Sequence, residues 1–321
     1  PRFVRDNLDL VVENTRTRGV TADPSRVVEL MEQRGAIQQK LDGLRSQRNE
    51  NARSMKGQIS DQERQELIAA GRALKEQIPA LEHQLTELSE QMQAELLKIP
   101  NLTHPDAPVG ETDEDNRQLS AWGSPNRELA EDHLSIMQRL DLIDFEAAAE
   151  VTGAKFYFLR NQAVILDLAL VRLALDVIGR HGFTLTTTPD LARERVLQNI
   201  GFNPRGPESN VYTVEGTDLR LIGTAEITLG GTQAGRILDA EALPMRIGGL
   251  SHCFRRESGA AGRYSKGLYR VHQFTKVEMF AFCLPEDSDA LHSQMLAVEE
   301  EIFQLLEVPY RVVDTATGDL G

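Results

Sequence analysis

Only two cysteines, Cys253 and Cys283, occur in 321 residues. They cannot build a disulfide framework, nor a four-ligand zinc site from cysteine alone. A reducing compartment is the default for such a chain. No apolar run reaches the roughly 20 residues of a membrane span, so no membrane partner is expected. Neither G-x-G-x-x-G nor a Walker A string appears, which sets aside the usual dinucleotide and P-loop phosphate cradles. An initiator methionine and a secretory apolar segment are missing as well. The chain opens on Pro1, and a processed or incomplete start is the expectation. Cations are scarce: the formal charge is −14, which argues against a general basic coat for nucleic acid and against DNA as a partner. The scarcity is uneven. Up to residue 100, 15 Lys and Arg face 16 Asp and Glu; beyond it, 20 face 33. Any RNA contact must therefore come from local basic patches.

What is present is ordinary in bulk. The apolar fraction is 40% and the charged fraction 26%, values of a soluble globular chain long enough for about two domains. Residues 25–56 and 61–99 carry heptads. Val27, Leu30, Ile37, Leu41, Leu44 and Met55 form the first apolar stripe, interrupted by Arg34, Arg48 and Asn51. Leu67, Leu74, Ile78, Leu81, Leu85, Leu88, Met92 and Ile99 form the second. Such stripes predict two helices in an antiparallel hairpin, each about 45–55 Å long. Gly57 is placed to end the first and Ser60 to cap the second, while Pro79 should kink or loosen the second. A plain structural coiled coil or dimerisation arm explains this pattern. A second reading rests on the tip, where Arg45, Arg48, Arg53 and Lys56 face only Glu50 in the sequence; a stiff cationic tip suits phosphate contact.

Residues 100–124 are rich in Pro, Asp and Gly and read as a linker. Three regions follow: a helical arm over 1–105, a linker over 106–125 and a core over 126–321. The core opens with a helical segment near 128–149. FYFLR and a long apolar helix come next, then TLTTTP, VYTVEG, LRLIG, LPMRIGGLSHCFR and VHQFTKVEMFAFC as strands, a helix at 287–306 and a last strand YRVVD. This pattern predicts an α+β fold with an antiparallel sheet flanked by helices.

Residues 253–280, CFRRESGAAGRYSKGLYRVHQFTKVEMF, concentrate cations, glycines and two separated glutamates. Strand alternation puts Arg255 and Glu257 on one face of one arm, and His272, Phe274, Lys276 and Glu278 on one face of the other. Arg263, Lys266 and Arg270 lie in the loop between. Such a face fits a nucleotide: Arg255 for a phosphate, Phe274 to stack a base, Glu257 for an exocyclic amine, and His272 with the loop cations to neutralise further phosphates. A solvated hairpin is the bland alternative, and the residues alone leave the two near parity. In LIGTAEIT, Thr224, Ala225 and Glu226 could hold an ammonium group; a helix N-cap is the commoner explanation of so short a string.

The residues also resemble the seryl-tRNA synthetase family of class II aminoacyl-tRNA synthetases. The likeness runs from FVRDNLDLVVENTRTRG through the hairpin to TAE and to FRRESGAAGRYSKGLYRVHQFTKVE, which is similar to the family's motif 2; GFTLTTTPDL, with Pro189, resembles motif 1. The resemblance implies serine–tRNA ligation: serine and ATP give seryl-adenylate and pyrophosphate, and serine then passes to tRNA(Ser). It implies that Arg255 acts at the α-phosphate. Arg256, Glu257, Val271, His272, Gln273 and Phe274 would complete the ATP site. Thr224, Ala225, Glu226 and Glu278, with Arg255 again, would bind serine. Arg45, Arg48, Arg53 and Lys56 would touch tRNA, and motif 1 implies a homodimer in the cytoplasm, or alternatively in a mitochondrial or plastid matrix. Gly223 and Ser258 depart from the family's usual proline and alanine. Magnesium ligands and motif 3 are expected beyond GDLG, so no metal ligand is assigned here. The resulting expectation is an incomplete enzyme; the alternative is a truncated, non-catalytic protein binding tRNA and ATP. A carrier-protein ligase fits less well because the long arm is present.

Overall fold

The computed structural model describes residues 1–57, 59–125, 131–200, 211–257 and 266–320. Arg263 and Ser258, and the first residues of the helix expected near 128–149, lie outside the described residues. The helices are α1 (Arg2–Asp6), α2 (Leu8–Thr17), α3 (Pro24–Ser54), α4 (Asp61–Leu96), α5 (His133–Arg139), α6 (Phe145–Val151), α7 (Gln162–Arg180), α8 (Glu194–Asn199), α9 (Ala225–Gly231) and α10 (Ser288–Leu305). The strands are β1 (Arg117–Trp122), β2 (Ile143–Asp144), β3 (Phe158–Leu159), β4 (Thr184–Thr187), β5 (Leu191–Arg193), β6 (Leu219–Leu221), β7 (Met245–Phe254), β8 (Gln273–Phe282) and β9 (Tyr310–Asp314). Two compact units result: Pro1–Ser120 with Arg311–Gly321, and Ala121–Tyr310.

In the first unit the heptad stripes do what their spacing predicts. Val27, Leu30, Leu41, Leu74 and Ile78 are buried. Leu41, Leu74 and Ile78 pack with Leu44, Leu81 and Leu85 midway along the hairpin, and Val27 packs with Val4, Val11, Met92 and Ile99 at its base. Two of the polar interruptions are bonded across the seam: Arg34 Nε donates to Ser89 Oγ at 3.0 Å, and Asn51 Nδ2 to Leu67 O at 2.9 Å. Asp23 caps α3, and Ser60 with Glu63 forms a full capping box on α4. These satisfy amides that would otherwise end each helix unpaired. α4 runs unbroken through Pro79. Pro79 is on the exposed side, where water can serve the carbonyl that the missing N–H leaves unpaired. Part of the stretch read as linker is strand: β1 pairs with β9 from the far end of the chain.

In the second unit the central sheet has the order β4-β7-β8. β7 and β8 pair antiparallel over ten residues, from Met245 with Phe282 to Phe254 with Gln273. β4 joins parallel to β7, so the sheet is mixed rather than wholly antiparallel. The long helix α7 between β3 and β4 carries the chain back before β4 begins. The expected helix near 128–149 is two helices, α5 and α6, separated by β2. VYTVEG contributes only an isolated bridge, Thr213 to Arg220. Two adjacent glycines let helices approach both faces of β7. A Cβ on Gly248 would come within 2.5 Å of Ile178 Cδ1 in α7, and one on Gly249 within 2.9 Å of Leu229 Cδ1 and 3.1 Å of Ala225 Cβ in α9. Close seating of α9 on β7 brings its first residues to the Glu278 carboxylate of β8.

Candidate active site

Antiparallel register puts Gly249, Ser251 and Cys253 opposite Glu278, Lys276 and Phe274, and strand alternation gives these six one common face. The turn between β6 and α9 lies over that face. Thr224 is the N-cap of α9, its hydroxyl accepting from Glu226 N at 3.3 Å. The N-cap reading of TAE holds, and the same threonine also enters a polar cluster. Its Oγ1 donates to Glu278 Oε2 at 2.6 Å and accepts from Lys276 Nζ at 2.8 Å. Glu226 N donates to the same Glu278 oxygen at 3.2 Å, and Lys276 Nζ lies 3.1 Å from Glu278 Oε1. Thr224 and Ala225 are buried. Burial pushes the Glu226 carboxyl above the ordinary glutamate range; the Glu278 charge pushes the same way and Lys276 opposes it.

Arg255 adjoins this cluster. Its Nε donates to Gly223 O at 3.3 Å and its guanidinium carbon sits 5.2 Å from the Phe274 ring centroid. Gly223 and Thr224 are neighbours in the chain, so one turn holds the guanidinium with one residue and the carboxylate network with the next. Arg255, Phe274, Thr224, Glu226 and Glu278 thus come together.

Other predicted residues behave differently. β7 ends at Phe254. Arg255 N extends the ladder to His272 O at 3.0 Å, but Glu257 adopts φ +48°, so it does not share a sheet face with Arg255. Its largely buried carboxylate receives Arg270 Nη1 at 3.1 Å. Lys266 pairs with Asp132. Neither of these two loop cations is therefore idle. His272 is pushed toward the neutral ring. Burial, then the Lys155 charge, hold its imidazole below the ordinary range. Its Nδ1 and the Tyr212 hydroxyl share a hydrogen bond, and its ring packs against Phe156. Val271 is buried, and Gln273 lies in a hollow with His252, Thr275, Phe156 and Tyr157. The Arg256 charge acts on His272 and Tyr212. At the hairpin tip Arg45 does not face Glu50 alone. It crosses to Glu82 Oε1 at 2.8 Å, which leaves Arg48, Arg53 and Lys56 as the exposed tip cations. The sequence reading missed Tyr212 and Gly249. The pair Gly248–Gly249 inside a strand was the available sign of close helix approach; nothing marked Tyr212. Among the described residues no group of three or more His, Cys, Asp or Glu could hold a metal ion.

Residues 212–321 match the family described as tRNA synthetase class II core domain (G, H, P, S and T), and residues 1–103 match the seryl-tRNA synthetase N-terminal domain. The chain belongs to the seryl-tRNA synthetase family. It is 50% identical to the serine–tRNA ligase of Treponema denticola and 52% identical to that of Rubrobacter xylanophilus, in each case over its whole length and 76% of the relative. Among solved structures, the seryl-tRNA synthetase of Pyrococcus horikoshii complexed with ATP superposes with a TM-score of 0.86 at 34% identity, covering all of this chain and 77% of that one. The cytoplasmic serine–tRNA ligase of Naegleria fowleri in complex with AMP gives 0.80 at 28% identity over 98% of this chain and 73% of that one. No helix among the described residues is long and apolar enough to cross a membrane.

Proposed function

We propose that this chain carries the serine-activating centre of a serine–tRNA ligase, and that the turn Gly223–Glu226 is where serine and ATP meet. The observation that carries this is the sharing of one turn by Arg255 and the Thr224–Lys276–Glu278 network. Phe274 supports the base while Arg255, held edge-on by Gly223 O, neutralises the α-phosphate. Glu226, Thr224, Ala225 and Glu278 receive serine. The serine carboxylate oxygen attacks the α-phosphorus, a P–O bond forms, and the bond to the β-phosphate oxygen breaks as pyrophosphate leaves. Positioning and charge neutralisation do this work without a nucleophilic side chain. The seryl group then passes to a hydroxyl of tRNA(Ser), an ester forming as the acyl–phosphate bond breaks and AMP leaves. His272 acts as a neutral hydrogen-bonding group, with Val271 and Gln273 as the walls that hold it and Phe274, and Glu257 and Arg256 complete the nucleotide side. Magnesium accompanies ATP in this reading, and it is given no ligand among the described residues. The arm over 1–105 engages tRNA through Arg48, Arg53 and Lys56, joined by a linker over 106–125 to the core over 126–321. A homodimer is supported by α7, where Val164, Ile165 and Leu168 lie on one helix face and are exposed, Ile165 to 66%; an apolar face of that kind fits a second copy. A cytoplasmic setting follows from the same reading.

The test is serine-dependent ATP–pyrophosphate exchange in the full-length protein. Arg255→Ala should lower kcat/KM by about a hundredfold or more, the usual scale for losing a preorganised charge stabiliser. Exchange within about threefold of the parent would remove Arg255 from the reaction centre.

A further inference from the structure

Lys276 shares the cluster with Glu278 and Thr224, and the serine-site reading gives it no role. Its ammonium is within hydrogen-bond reach of two atoms, Thr224 Oγ1 at 2.8 Å and Glu278 Oε1 at 3.1 Å. The side chains of Lys276 and Glu278 are only 29% and 17% exposed. We propose that Lys276 is a positioning residue for the amino-acid substrate: it fixes the direction of the Thr224 hydroxyl and offsets the Glu278 charge, leaving Glu226 as the one carboxylate that receives a ligand ammonium group. The proposal rests on the reading of this turn as the serine site.

Donor and acceptor capacity forces the direction. A threonine hydroxyl has one proton and two lone pairs. Lys276 Nζ can only donate, and so can Glu226 N; together they occupy both lone pairs of Oγ1. The single proton must then go to Glu278 Oε2, 2.6 Å away. Glu278 receives Thr224 and Glu226 N on one oxygen and Lys276 on the other. Its acceptor capacity is largely engaged by the protein. The Glu226 carboxylate accepts no hydrogen bond from the described residues, although it is half-buried beside the same group. Within the Lys276–Glu278–Glu226 group one cation faces two carboxylates, which leaves one net negative charge for an ammonium once Arg255 is engaged by the phosphate.

Removing the lysine would change the site in two ways. Thr224 could turn its proton elsewhere, and the Glu278 charge would act on Glu226 without opposition. The charged and titratable groups facing Glu226 are Lys276 and Glu278 from β8. Cys253 from β7 feels the charges of that pair and of Arg255. Burial holds the Cys253 thiol up. With Lys276 gone, Glu226 would protonate at higher pH, and a protonated Glu226 cannot pair with an ammonium group.

The experiment measures the serine KM and kcat across pH in the full-length protein. Lys276→Met should raise the serine KM severalfold at the acid end of the pH range, because the unopposed Glu278 charge pushes the Glu226 carboxyl further up. The excess should shrink as the pH rises and Glu226 ionises again, with kcat within about twofold throughout. Lys276→Arg, which keeps the charge, should restore most of the KM and its pH profile. Glu226→Gln should raise the KM and flatten that profile. Should Lys276→Met not accumulate as folded protein, Lys276→Gln carries the same expectation. If Glu226→Gln leaves the serine KM and profile as in the parent, the serine-site reading itself fails. If Glu226→Gln behaves as stated but the lysine variants change nothing, or raise the KM equally at every pH without rescue by arginine, Lys276 is merely structural and the positioning role is overturned.

Discussion

Burial decides the chemistry of single residues here more often than charge does. His272 shows this. A histidine in a cationic stretch reads as a further phosphate-neutralising charge, yet its ring is packed against Phe156, hydrogen-bonded to Tyr212 and pushed toward the neutral form by desolvation and the charge of Lys155. The sign of the consequence is fixed. An imidazole whose pKa is lower in the folded than in the unfolded chain binds fewer protons when folded, so its contribution to stability is full above the unfolded value and is lost as pH falls through the interval between the two. Imidazole resonances followed by NMR should show His272 titrating below the ordinary imidazole range. Replacing Tyr212 with Phe should alter that titration while the other six histidines keep theirs. A His272 that titrates at or above the ordinary range would restore it as a cation and undo its assignment as a neutral hydrogen-bonding group.

Elements were legible where periodicity runs long, and obscure where the partner lies far along the chain. Heptads over 31 and 36 residues gave α3 and α4 nearly to their ends. The alternation of LPMRIGGLSHCFR and VHQFTKVEMFAFC gave β7 and β8, and with them the shared face of Phe274, Lys276 and Glu278. The parallel placement of β4 was not visible, because nothing in TLTTTP encodes which edge it joins or in which direction. The pairing of β1 with β9 was hidden by a composition typical of loops. Arg45 looked free because its partner, Glu82, lies in the other helix. Alternation also over-reached at Glu257, where a positive φ breaks the strand that the pattern continues. Gly249 offers a test of how the elements make the site. Gly249→Ala would press its Cβ on Ala225 and Leu229, lifting α9 and with it Thr224 and Glu226 from Glu278. The expected cost is about 1–3 kcal/mol in unfolding free energy, as for other overpacked interiors. The serine KM should rise while the KM for ATP changes less. An unchanged serine KM in a destabilised protein would show that α9 yields without moving its first turn.

At the level of the whole molecule, charge is uneven along the chain, with the first hundred residues set apart from the rest. The hairpin region is close to neutral and the remainder strongly acidic, so a polyanion is repelled by most of the surface and admitted only where cations stand clear of acidic partners. Arg48, Arg53 and Lys56 are such a group; Arg45 is not, since Glu82 and Asp42 both lie within ion-pair distance of it. The hairpin itself does not depend on that pair, which is 43% and 46% exposed. Exposed pairs contribute about 0–1 kcal/mol, and the Leu41–Leu74–Ile78 cluster carries the packing. This separates two kinds of substitution. Joint replacement of Arg48, Arg53 and Lys56 by Gln should weaken binding of tRNA(Ser) and reduce the magnitude of the salt slope by about one for each phosphate no longer neutralised. Serine-dependent pyrophosphate exchange should stay at the parental rate, because the activating residues all lie between 212 and 278. Arg45→Gln should do much less to the salt slope, its charge being already engaged by two carboxylates. Filter binding of tRNA across a salt series, run beside the exchange assay, reads both quantities. An equal fall in exchange and in binding would deny the arm a separate tRNA role, and an Arg45 effect as large as that of the other three would return it to the tip.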